Sequence, residues 1–313
     1  MGLMTVSLDS IISDCDNCDP LCTAVVHPVN SRTLTAIDHA YNAGLIDPIL
    51  IGPRDRIEAA ASESGSDLSR WQIRPTKHSH EAAEVAAELA AAQQVGAILK
   101  GALHTDELLG AIVSSGSGLR TERRISHAYL MTIASYPRPF IITDAAVNIT
   151  PNLLAKADIV QNAVDLWHVL YQGSAALPKV AVLAAVETVN PQMAATLDAA
   201  ALCKMADRGQ ITGCVIDGPL AFDNAVSSEA AAEKGIVSDV AGAADILIVP
   251  DIEAGNMLAK QLTFLGGAEA AGIVLGARVP VILTSRADSA RSRLVSCAIA
   301  VLLAKARAMG RIK

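Results

Sequence analysis

Aromatic side chains are scarce in this chain of 313 residues, with 3 Phe, 4 Tyr and 2 Trp. Charged residues are also few, at 18% against 51% hydrophobic. Low hydrophobicity with high net charge is what keeps a chain unfolded, and this composition is the reverse: a compact, Ala-rich globular protein. Net charge is −7, and no stretch carries the dense Lys/Arg stripe that nucleic acids or anionic membranes attract. Neither is expected as a partner. The first twenty residues hold Asp9, Asp14, Asp16 and Asp19 and no Lys or Arg. An export signal begins with a basic segment before an apolar one, so a cytoplasmic protein is expected. The most apolar tracts, Ala298 to Ala304 and Ile273 to Ser285, are short or broken by Arg278 and Pro280, well under the ~20 apolar residues of a membrane span.

Catalytic signatures are missing too. There is no G-x-x-x-x-G-K-[ST] phosphate loop, and Gly116-Ser117-Gly118 lacks the third glycine of a dinucleotide fingerprint. No G-x-S-x-G elbow or H-E-x-x-H helix appears. Cys15, Cys18 and Cys22 with His27 begin a zinc-like spacing, but no second C-x2-C or His pair follows at ligand distance. They read as incidental thiols in an exposed acidic leader, and no metal site is expected. Cys203, Cys214 and Cys297 sit in apolar patterns where a reduced Cys packs as a small hydrophobe.

What is present is alternation. Short β-branched runs, such as 24–27, 48–52, 97–100, 140–143, 180–183 and 246–250, are separated by helical patterns such as 79–94, 191–207 and 223–234. That order predicts parallel strands with crossover helices, an α/β protein. At roughly 150 residues per domain the length suits two domains. Pro139 and the Tyr136 turn suggest a boundary, and the last helix, 288–309, follows a strand without a linker. The expected domains are therefore 1–137 plus 286–313, and 138–285.

In open α/β sheets, ligands bind beyond the carboxyl ends of the strands, where helix N-termini present free N–H groups. The strand Val281 onward ends in Thr284-Ser285-Arg286-Ala287-Asp288-Ser289 as a helix opens. An anion cradle and ordinary N-capping with a solvated Arg both account for that turn. Other strand ends are loaded alike: Lys100 to Thr105, Asp144 to Asn148, Asp217-Gly218-Pro219, and Asp251 to Asn256. Arg120, Arg123 and Arg124 beside His127 offer either a phosphate clamp or a solvated face. Candidate substrate-binding side chains are thus Lys100, Thr105, Arg123 and Arg124, with Asp144, Asn148, Asp217, Asp251 and Asn256.

The stretch Ala185 to Pro191, then Leu197-Asp198-Ala199-Ala200, Lys204 to Gly209, Asp217 to Asn224, Val240 to Asp245, Pro250-Asp251 with Gly255-Asn256, and Leu283 to Ser289 together resemble the phosphate acetyl/butyryl transferase family. The resemblance runs from about Thr23 to the C-terminus and is nearest to the transferase half of proteins that join an enoyl-CoA hydratase to a phosphate acetyltransferase. It implies a two-domain fold like the isocitrate and isopropylmalate dehydrogenases, with mostly parallel sheets and an inter-domain cleft. It implies reversible transfer of an acetyl or butyryl group between coenzyme A and phosphate, by direct thiol attack, with both as substrates and no cofactor. A homodimer follows from the same resemblance, and an enoyl-CoA hydratase is the partner it suggests. Ser285 would steady the oxyanion and Arg286 the phosphate. Acetyl-specific members carry an Asp seven residues after the Ser; here Ser292 stands there, leaving Asp288 as the available carboxylate. Two other readings are a dehydrogenase of the related fold and a non-catalytic CoA-binding module.

Overall fold

The computed structural model describes residues 7–284 and 288–312. Its strands, in chain order, are β1 (Leu21–Val26), β2 (Ile46–Gly52), β3 (Gln72–Pro75), β4 (Ala97–Lys100), β5 (Ser126–Thr132), β6 (Phe140–Thr143), β7 (Lys179–Leu183), β8 (Val215–Leu220), β9 (Ile246–Ile248), β10 (Glu269–Leu275) and β11 (Val281–Ile282). Helices connect most of them, giving the α/β class expected from the alternation.

The chain divides into two units. One comprises Leu8–Arg123 and resumes at Ala271, and the other comprises Arg124–Ala270. The sequence pattern puts these divisions later, at 137/138 and 285/286. Strand pairing explains the difference. β5, which the sequence reading does not contain, pairs antiparallel with β6, Ala128 opposite Thr143, and so travels with the second unit. β11 pairs parallel with β4 and antiparallel with β10, which returns that stretch to the first.

In the first unit the strand order is β3-β2-β1-β4-β11-β10. The pairs β3/β2, β2/β1 and β1/β4 are parallel. Parallel sheets are covered on both faces and their strands read as continuous apolar runs; Ala24, Val25 and Val26 of β1 are accordingly buried. The helix Ser31–Asn42 is started by Asn30, whose side chain accepts from Thr33 N at 2.8 Å, and buries Leu34, Ile37 and Ala40 along one stripe. Alanine lets the helix Ser79–Ala91 lie close, through buried Ala82, Ala83, Ala86 and Ala87. The helix Ala290–Ala308, capped by Ser289, is buried over Val295–Leu303, as suits a helix apolar on all sides.

The acidic leader is not the exposed segment expected from its charges. Leu8–Ser13 is helical, with Leu8 and Ile11 buried. The buried Cys15 thiol donates to Ile11 O and to Ala298 O of the last helix. The apolar residues interleaved with the aspartates supply the packing face.

In the second unit the order is β5-β6-β9-β7-β8; beyond the β5/β6 pair the strands run parallel. Met131, Phe140, Ile142, Ala181, Leu183 and Leu247 belong to its core. The helices Leu153–Leu170 and Ile252–Phe264 are capped by Asn152 and Asp251. The single helix expected over 223–234 is two, Phe222–Val226 and Ser228–Glu233. Ser227 breaks it by turning extended and capping the second piece through Ala230 N.

Candidate active site

The first unit has a topological switch at β1, whose parallel neighbours β2 and β4 lie on opposite sides. Connections leaving in opposite directions open a crevice beyond the carboxyl ends. A cavity of about 160 Å³ lies there, its lining including Asn30, Arg32, Thr33, Lys100, Thr284 and Arg293. Three cationic residues from three separate stretches of chain thus line one small space. The N-terminus of the helix Ser31–Asn42 lies against it, which adds positive partial charge. Arg293 Nη1 donates to Arg32 O at 3.3 Å. Burial pushes the Arg293 guanidinium below its ordinary range; Asp288 opposes that shift and the Arg32 charge adds to it.

Thr284 closes the cavity on the β11 side. Ser285 and Arg286, to which the family resemblance assigns the oxyanion and the phosphate, follow it directly and lie outside the described residues. On the β4 side, Lys100 leads through Gly101, Ala102 and Leu103, which also line the cavity, to Thr105, the first residue of the helix Thr105–Val113.

The second unit collects another group at the carboxyl end of β6. Asp144 is buried, and its Oδ1 accepts from Ala146 N and Val147 N at 2.9 and 3.0 Å. Its Oδ2 accepts from Asn148 N at 3.0 Å and from Asn148 Nδ2 at 2.6 Å. Asn148 Oδ1 in turn accepts from Arg124 Nε at 2.7 Å, and Arg124 N donates to Asp158 at 3.0 Å. Asn256 Nδ2 donates to Ala145 O at 3.0 Å, and Asp251 caps its own helix through Ala254 N. Arg124, Asp144, Asn148, Asp251 and Asn256 are thus one neighbourhood, but Asp144, Asp251 and Asn256 spend side-chain oxygens and amide on backbone. Asp217 lies apart from them on β8, accepting from Gly218 N at 2.8 Å. Arg120 bridges to Ala277 and Arg123 N donates to Thr121 Oγ1, both within the first unit, whereas Arg124 begins the second.

Sequence reasoning missed Arg32 and Arg293. The signal for Arg32 is the Asn30 cap following a buried strand, the same pattern that flagged the other strand ends. Nothing local marks Arg293, a cation in the first turn of a long helix. Lys156 was also missed: it is buried, and its Nζ donates to Asp198 Oδ2 at 2.7 Å. Burial, first among the causes, pushes the Cys15, Cys203 and Cys297 thiols up to about 12 and Cys214 to about 11. None of these four is poised as a nucleophile. Among the described residues no three His, Cys, Asp or Glu side chains gather as metal ligands.

Residues 75–301 match the family model described as phosphate acetyl/butaryl transferase. The chain belongs to this family. A phosphate acetyltransferase of Rickettsia prowazekii is 59% identical over 285 residues, 91% of this chain and 81% of the relative. A phosphate butyryltransferase of Clostridium acetobutylicum is 40% identical over 301 residues, 96% of this chain and 99% of the relative. The crystal structure of a branched-chain phosphotransacylase from Enterococcus faecalis superposes with a TM-score of 0.78 at 29% identity, covering 91% of this chain and 99% of that one. The family read from the motifs is borne out, and the chain is an acyltransferase of the phosphate acetyl/butyryl transferase family.

Proposed function

We propose that the protein transfers a short acyl group reversibly between coenzyme A and inorganic phosphate, and that the cavity of the first unit receives the phosphate. The observation that carries this assignment is the convergence of Arg32, Lys100 and Arg293 on one space beside Thr284. A charge-assisted hydrogen bond contributes roughly 1.5–3 kcal/mol, so two or three such contacts hold a dianion firmly. A phosphate oxygen attacks the thioester carbonyl, the tetrahedral oxyanion collapses, and the C–S bond breaks; the products are acyl phosphate and the CoA thiol, which takes up a proton. In reverse the thiol attacks the acyl phosphate. In this reading Ser285 donates to the oxyanion, Arg286 binds phosphate and Asp288 handles the thiol proton. Positioning and fixed charge supply the catalysis, and no cofactor or metal is invoked.

The same reading makes the enzyme a cytoplasmic homodimer. In support, the helix Ile252–Phe264 exposes Met257 and Phe264, next to exposed Leu265, an apolar strip that a second copy would cover. Among the described residues no helix is long and apolar enough to cross a membrane. Light scattering on the purified chain alone tests the dimer, and a monomer that assembles only with an enoyl-CoA hydratase would point to that partner instead.

Release of CoA thiol from acetyl-CoA and butyryl-CoA, with and without added phosphate, tests the activity. Thiol release that needs phosphate is the expected result. Release independent of phosphate would mean a hydrolase, and no release from either thioester would overturn the reading.

A further inference from the structure

β1 ends at Val26, and the next residue, His27, takes φ 54. That left-handed backbone disfavours side chains with a β carbon, and Gly or Asn is its usual occupant. The His27 ring is nevertheless buried, 6% exposed, with Nδ1 2.9 Å from Ala102 O. A carbonyl can only accept, so Nδ1 carries the proton and donates. Ala102 N returns a bond to His27 O at 2.9 Å, and Gly101 N donates to Val26 O at 2.9 Å. The approach is close: a β carbon at Gly101 would lie 2.4 Å from Val26 O.

We propose that His27 is a positioning residue for the transfer reaction, clamping the Lys100–Leu103 wall of the cation-lined cavity to the end of β1 through Ala102. His27 does not line that cavity, whereas Lys100, Gly101, Ala102 and Leu103 do. The paired His27–Ala102 bonds fix the peptide two residues beyond Lys100 and so fix where its ammonium meets an anion. This bond to Ala102 O accounts for a histidine held where glycine would fit more easily. The inference rests on the cavity being the phosphate site.

The test compares His27→Gly and His27→Asn in the full chain. Glycine accepts φ 54 but offers no side-chain donor; asparagine tolerates the same backbone and presents an amide N–H near the place of Nδ1. The expected result for His27→Gly is a KM for phosphate raised on the order of tenfold, with KM for acyl-CoA within about twofold and melting temperature little changed. His27→Asn is expected to recover most of the phosphate KM. A wild-type phosphate KM in His27→Gly, or an Asn variant no better than Gly, overturns the proposal. Absence of phosphate-dependent thiol release in the wild type would be the failure of the activity itself. The clamp is then judged by the melting-temperature rise on adding inorganic phosphate alone, and equal rises in wild type and His27→Gly overturn it.

Discussion

Asn148 reaches back to Asp144, donating from Nδ2 to Oδ2 at 2.6 Å, while its own Oδ1 holds Arg124 Nε at 2.7 Å. The orientation of a cation therefore rests in part on one amide, itself held by Ile125 O at 2.9 Å and by a carboxylate that also accepts from three backbone N–H groups.

Removing that amide leaves Asp144 short of a donor inside the protein. Asn148→Ala is expected to lower stability by about 1–3 kcal/mol. A urea unfolding curve reads it as a lower midpoint at unchanged slope.

The Lys156–Asp198 pair predicts an asymmetry. The Lys156 side chain is 6% exposed and that of Asp198 26%. Asp198→Ala strands a buried ammonium, which costs roughly 3–5 kcal/mol. Lys156→Met leaves a carboxylate that water can reach and fills the lysine's apolar volume, so its cost is expected to be smaller. Thermal unfolding of the two variants ranks them, and equal losses would contradict the burial argument.

Arg32 is exposed yet lines the cavity, so its loss should spare the fold. Arg32→Gln is expected to keep the melting temperature and to raise KM for phosphate on the order of tenfold or more, the equivalent of one charge-assisted bond. Added salt should narrow the difference between variant and wild type, since screening weakens what the guanidinium contributes.

His127 gives a pH dependence. Its ring is fully buried, and among the described residues neither nitrogen has a hydrogen-bond partner. Burial lowers its pKa to about 4, the Asp144 charge acting the other way. The folded pKa is depressed, so the unfolded chain takes up the proton first as pH falls below about 6.5. Stability is complete above that value and declines toward pH 4, by at most about 1.4 kcal/mol per pH unit. His127→Phe removes the titration, and its melting temperature is expected to fall less steeply than wild type between those limits.

The fold class was legible because buried parallel strands advertise themselves: 97–100 and 140–143 are apolar runs, and both are strands with those bounds. β5 was hidden because it opens with Ser126 and His127, polar residues that are nonetheless fully buried, so the cations before it dominated the pattern. The strand-end rule found Lys100 and the Asp144 to Asn148 loop, since each lies where a strand stops. It could not find Arg293, whose place beside Arg32 depends on a helix that returns over the sheet from the far end of the chain. Nor could it separate a carboxylate that binds substrate from one that fastens its own loop; for Asp144 and Asp251 that distinction appears only in the hydrogen bonds.

The wall residues of the cation cavity come from positions near 30, near 100 and from 284 to 297. Stretches far apart along the sequence must therefore meet before that space exists. Long-range closure of this kind comes with the assembled sheet rather than with any local segment, so no excised strand or helix of the first unit would carry the cavity.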